Sequence, residues 1–176
     1  MKDLRYYIRH ERGLPLSLKQ LKVMTVRPGL KFIDFENFRG TSISELLGEH
    51  EGAVILLESA SKEVGHYVLV FKRKGKLEYF DSYGLPADRL CAILGFDNKT
   101  TRQFLGITKQ CRNHYIRLQA RRADINTCGR YAVCRYNFGY MSLGQFTGML
   151  RHDVLHADDV ITLLTLSADL SHWGRA

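Results

Sequence analysis

Between residues 52 and 81 the chain abandons helical spacing for short, continuous apolar runs, and this change of period limits the fold more than any other feature. GAVILLES (52–59) reads as a buried strand and GHYVLVFK (65–72) as a second, rich in β-branched and aromatic residues. RKGK then turns the chain and LEYFD (77–81) runs back, a hairpin with a strand beside it. Before this block, LSLKQLKVM has weak helical character, Pro28-Gly29 marks a turn, and Ser42 followed by Glu45 forms a capping box that opens a helix over 41–49. After it, ADRLCAIL is helical, YIRL (115–118) reads as one more short strand, and CGRYAVCRYNFGYM, LGQFTGMLRH and ADDVITLLTL read as helices. The expected fold is α+β, a small central mixed sheet flanked by helices, in a single domain over residues 1–176.

Composition supports a packed domain and narrows the setting. With 45% apolar and 11% aromatic residues in 176, the chain has enough material for a core. Its longest apolar run, Ala53–Leu57, falls far short of the roughly 18–20 residues of a membrane span, so none is expected. MKDLRYYIRHERG is charged throughout and lacks the apolar stretch of a secretory signal, so no export is expected. Cys91, Cys111, Cys128 and Cys134 form no CxxC pair, which favours reduced thiols over a metal ribbon or a disulfide framework. The excess of eight positive charges suits nucleic acid, an anionic surface or an acidic protein, and equally a solvated basic surface.

Three short segments carry groups that work together in acyl transfer. Gly65-His66-Tyr67 opens a strand, Asp81-Ser82-Tyr83-Gly84 follows the strand that returns beside it, and Cys128-Gly129 stands where a polar loop becomes a helix. Each alone is ordinary: a structural histidine, a turn, a small core residue. A hairpin turning near Lys74-Gly75 places His66 and Asp81 opposite each other, close enough for the carboxylate to orient the imidazole. A thiol at a helix N-terminus meets unpaired N–H groups and the positive end of the macrodipole, which favour thiolate. Beside a histidine such a thiolate is an activated nucleophile. Gly129 lets the backbone approach a substrate carbonyl, the Cys128 N–H points at the oxyanion, and Gln119 is a side-chain donor to the same oxygen, with Asn126 in reserve. Cys91 and Cys134 read as core residues, and Cys111 has no assigned role.

In the order His, Asp, Gln, Cys, these residues resemble the cysteine peptidases of the adenovirus-protease and ubiquitin-like-protease clan. The likeness rests on His66-Tyr67, the turn Asp81-Ser82-Tyr83-Gly84, Gln119 and Cys128-Gly129, and covers about residues 50 to 140. The chain departs from the clan's pattern in having Tyr rather than Trp after the histidine, a shorter His-to-Asp interval, and a Gln119 that lies nine residues before Cys128. The resemblance implies a fold with the nucleophile at the N-terminus of a central helix, and a Cys128–His66–Asp81 triad working through an acyl-enzyme. It also implies cleavage after glycine, often Gly-Gly, with Tyr67 and Tyr83 as walls of a narrow substrate channel. No cofactor is required by that chemistry.

By the same resemblance the substrates are capsid and core precursor polypeptides of a DNA virus or virophage, cut in the virion and infected cell. DNA is then a candidate activator, held by the basic clusters at 72–76 and 117–122. Three alternatives stand beside this reading: an isopeptidase for SUMO-like or ubiquitin-like conjugates, an acetyltransferase of the same clan, and a basic DNA-binding virion protein with an inactive site.

Overall fold

A computed structural model describes residues 4–173, except residues 63 and 152 and the side chains of 168–173. The elements run α1 (Leu4–Gly13), α2 (Leu18–Val23), β1 (Leu30–Asp34), a 3-10 turn (Phe35–Asn37), α3 (Ile43–Leu47), β2 (Gly52–Glu58), β3 (Gly65–Arg73) and β4 (Lys76–Phe80). They continue with α4 (Ala87–Leu94), α5 (Asn98–Thr108), β5 (Arg112–Asn113), α6 (Cys128–Asn137), α7 (Leu143–Met149) and α8 (Ala157–Trp173). The fold is α+β, as expected. The strands form one mixed sheet in the order β1-β2-β3-β4-β5, with β1/β2 and β4/β5 parallel and the two inner pairs antiparallel.

Both faces of the sheet are covered, which is why its inner strands read as unbroken apolar runs. Val68 and Val70 of β3 face a layer containing Leu46, Leu90, Phe104 and Ile107 from α3, α4 and α5. Tyr67, Leu69 and Phe71 face the opposite layer, with Leu21, Tyr131, Val133, Phe146 and Ile161 from α2, α6, α7 and α8. Helix α6 is buried nearly all round and carries two arginines, Arg130 and Arg135, with no exposed surface. Burial of a guanidinium demands partners. Arg130 reaches Thr165 at 2.7 Å and the Glu11 carboxylate at 3.3 Å, while Arg135 reaches Glu78 at 3.1 Å.

Several elements differ from expectation. α1, β1 and α5 form where no element was assigned, and the strand expected at 115–118 does not form. Residues 115–117 are exposed, and the N–H groups of Leu118 and Gln119 donate to the Ser82 carbonyl at 2.9 and 3.0 Å instead of joining a ladder. The fifth strand is the two-residue β5 just before them. Among the described residues no helix is long and apolar enough to cross a membrane.

Candidate active site

The β3–β4 hairpin turns through Lys74 (φ 49°) and Gly75 (φ 74°). Positive φ at both central residues is the two-residue turn whose twist suits a tight hairpin. It pairs Leu69 with Phe80, so the register is displaced by two residues from the one expected and Asp81 is not directly opposite His66. A shift of two keeps every side chain on its own face. The diagonal distance remains within reach of long side chains, and His66 Nε2 lies 2.6 Å from Asp81 Oδ1. That carboxylate also accepts from the N–H groups of Tyr83 (3.1 Å) and Leu85 (2.8 Å), so it is an acceptor throughout and His66 Nε2 donates. His66 and Asp81 retain only 4% and 1% of their surface.

The turn after β4 is built to hold this carboxylate. Gly84 has φ +66°, and a Cβ on it would stand 2.7–2.9 Å from the backbone of Ile116 and Arg117. Only glycine suits both requirements. Tyr83, expected as a channel wall, lays its ring parallel to the His66 imidazole, centroids 4.9 Å apart and planes 14° apart. The Arg121 guanidinium approaches the same ring at 5.5 Å. An aromatic face beside the imidazole favours its protonated form.

Cys128 is the first residue of α6 and is partly exposed. Burial alone pushes its thiol up, but the hydrogen bond and charge of His66, with the N–H groups of Tyr67 and Gly129, bring it below the ordinary value of 9.0. For His66, burial opposes the charge, yet the bonds to Asp81 and Cys128 raise the imidazole from 6.5 to about 10. With Nε2 engaged by Asp81, Nδ1 is the nitrogen left for Cys128. The two shifts describe one coupled pair, thiolate with imidazolium.

Gly129 packs closely against its neighbours. A Cβ there would stand 2.8 Å from Leu21 Cδ1 and 3.0 Å from Tyr67 Cδ2. Tyr67 is fixed below it by a bond from its hydroxyl to the Leu16 carbonyl at 2.8 Å, so its ring seats α6 on β3. Gln119 is buried and tied to the acid turn: its Oε1 accepts from Ser82 Oγ at 2.7 Å, and its Nε2 faces Tyr83 Oη at 3.3 Å and the Ile125 carbonyl at 3.5 Å. Asn126 turns the other way, donating its side-chain amide to Gly13 O at 2.7 Å.

The remaining cysteines are buried in the described structure, and burial pushes the Cys91, Cys111 and Cys134 thiols up to about 11, 12 and 12. The expected basic clusters are partly neutralised, since Arg73 is paired with Glu78 and Arg122 lies 2.9 Å from Asp124. Sequence reasoning did not anticipate the roles of Tyr83 over the imidazole or of Asp158, which lies in the first turn of α8, has no exposed surface and bonds to Thr127. The paired acids at the start of ADDVITLLTL were the available signal for the latter.

Over 182 residues the chain is 26% identical to the uncharacterized protein V9 of Sputnik virophage, spanning 94% of this chain and all of that one. No known protein family and no solved structure matches it.

Proposed function

We propose that the chain is a cysteine endopeptidase in which Cys128 is the nucleophile, His66 the acid–base group and Asp81 the residue that orients it. The observation that carries this reading is the chain of contacts from Asp81 through His66 to a thiol at the start of α6, with the His66–Asp81 bond at 2.6 Å. The thiolate attacks the peptide carbonyl carbon, and the carbonyl electrons move to oxygen as the C–S bond forms. On this reading N–H groups at the α6 terminus and the Gln119 amide receive that oxyanion, the latter by exchanging its long bond to the Ile125 carbonyl, 3.5 Å. Collapse breaks the C–N bond, the leaving amine takes the His66 proton, and an acyl-enzyme remains. Water then gives its proton to His66 as its oxygen attacks the thioester, and the departing thiolate restores the pair.

By its resemblance to the adenovirus-type clan, the enzyme cuts after glycine in viral capsid or core precursors, and likeness to a virophage protein is in keeping with a viral setting. Hydrolysis of a fluorogenic Gly-Gly-X peptide by the wild type, abolished in Cys128→Ala, is the expected result. Cleavage of a SUMO-like conjugate without peptide hydrolysis would move the assignment to a deconjugating isopeptidase. Acetyl transfer from acetyl-CoA without hydrolysis would move it to an acetyltransferase. Activity surviving in Cys128→Ala would overturn the nucleophile.

A further inference from the structure

The chain's excess of positive charge is confined to one segment. Residues 98–123 carry seven Lys and Arg and no Asp or Glu, while the rest of the chain is nearly balanced, nineteen Lys and Arg against eighteen Asp and Glu. The segment leads from α5 through β5 to the loop before Cys128. Its last part passes the turn that holds Asp81: the N–H groups of Leu118 and Gln119 donate to the Ser82 carbonyl, and the backbone of Ile116 and Arg117 lies against Gly84. Of the two adjacent arginines that follow, Arg122 takes both oxygens of Asp124, at 2.9 and 3.1 Å. Arg121 is exposed and, among the described residues, has neither a hydrogen bond nor an ion pair from its side chain.

What holds Arg121 is an aromatic ring. Its guanidinium carbon lies 5.5 Å from the centre of the Tyr83 ring, and that ring stacks 4.9 Å from the His66 imidazole. A cation over a ring is attracted by the π-system and gives up none of its five N–H donors, which lie in the guanidinium plane in a fork that fits a carboxylate. The carboxylates nearby are engaged elsewhere: Asp81 by His66, Asp124 by Arg122, and Asp158 by Thr127 and Ala120. We propose that Arg121 is a specificity-determining residue that receives the carboxylate of an Asp or Glu side chain of the substrate, within a few residues of the scissile bond.

This rests on the peptidase reading above and names the class of polypeptide it favours. The two ring contacts cover the whole distance from imidazole to guanidinium, less than the width of a DNA major groove, about 12 Å. A duplex seated on Arg121 would therefore cover the imidazole. An extended peptide advances about 3.3 Å per residue, so a side chain two or three residues from the scissile bond falls within reach of Arg121 while the bond itself lies at Cys128.

The test is a panel of quenched Gly-Gly peptides in which one Glu is walked across the residues on either side of the scissile bond, each paired with a Gln peptide, and the readout is the Glu-to-Gln ratio of kcat/KM. The wild type is expected to prefer Glu at one position by about twofold to fivefold at low salt, as an exposed ion pair allows, and to lose the preference toward 1 M salt. In Arg121→Gln the ratio is expected to fall to about one, and in Arg121→Glu to drop below one, with Lys now preferred at that position. Any damage done through Tyr83 slows both members of a pair alike and leaves the ratio unmoved. Lys99→Gln removes the same charge from α5, which packs on the opposite face of the sheet from α6, and is expected to keep the wild-type ratio. Ratios of one across the wild-type panel, a Glu preference that survives Arg121→Glu, or an equal loss in Lys99→Gln would each overturn the proposal and leave the peptidase reading standing. Flat ratios with affinity for a DNA duplex lost in Arg121→Glu would give the arginine to phosphate and overturn it too. A wild type that cleaves no peptide of the panel, or a Cys128→Ala variant that cleaves them equally, would overturn the peptidase reading itself, and the proposal with it.

Discussion

His66 and Asp81 meet across a diagonal of the β3–β4 hairpin at 2.6 Å, in a position where neither side chain has appreciable contact with water. Asp81→Asn keeps the shape and removes the charge. Because the Asp81 bond and charge help raise His66 to about 10, the variant's alkaline limit should fall toward the ordinary imidazole value of about 6.5. Peptidase kcat at neutral pH should drop about 10²–10⁴-fold, the range of general acid–base catalysis, with KM little changed. A pH–rate profile checks both.

In the wild type the reactive form exists between the lowered Cys128 value and the raised His66 value. Activity should therefore rise on a limb that lies below the ordinary thiol value and fall as His66 deprotonates near pH 10. The linkage to stability has a matching sign. A raised folded value means that the stabilisation is full below about 6.5 and lost as pH rises through about 10. Thermal melts from pH 6 to 11 should show wild type losing its advantage over His66→Ala across that window.

Glu78 anchors a buried ion cluster behind the site. Its carboxylate accepts from Arg73, from His114 at 3.2 Å and from Arg135 at 3.1 Å. Burial works against its charge, but His114, Arg73 and Arg135 together lower it from 4.5 to about 2. Glu78→Gln leaves Arg135 buried without its counter-charge and should cost about 3–5 kcal/mol, measured by urea denaturation at pH 7. A lowered folded value stabilises above about pH 4.5, and the difference between wild type and variant should shrink as pH falls from there toward 2.

Two glycines in helices should respond with opposite signs. Gly129→Ala drives a Cβ to 2.8 Å from Leu21 and 3.0 Å from Tyr67 and should cost about 1–3 kcal/mol. Gly148→Ala in α7 meets nothing within 4 Å and should stabilise by about 0.4–1 kcal/mol. Differential scanning calorimetry of the two single variants separates them.

Much of this arrangement was readable in the residues because it depends on short-range patterns. The Ser42–Glu45 capping box does cap α3, the strands at 52–58 and 65–73 follow their apolar runs, and Cys128 does open a helix. His66 and Asp81 were placed on one face even though the pairing was off by two, since parity survives an even shift. What was hidden depends on distant partners. α5 buries only Phe104, Ile107 and Thr108, too few apolar residues in NKTTRQFLGIT to signal a helix. The exposed segment 115–117 was mistaken for a strand because its residue types suit one, whereas its neighbours' hydrogen bonds go to Ser82. No local pattern pairs Thr127 with Asp158, which stand 31 residues apart.

The most direct measurement is covalent capture of the nucleophile by a peptide vinyl sulfone ending in Gly-Gly, read by intact mass and peptide mapping. The thiolate–imidazolium pair predicts one adduct, on Cys128, at neutral pH, and a rate lowered at least about tenfold in His66→Ala. Equal labelling of Cys91, Cys111 and Cys134, or labelling of Cys128 that is indifferent to His66, would contradict it.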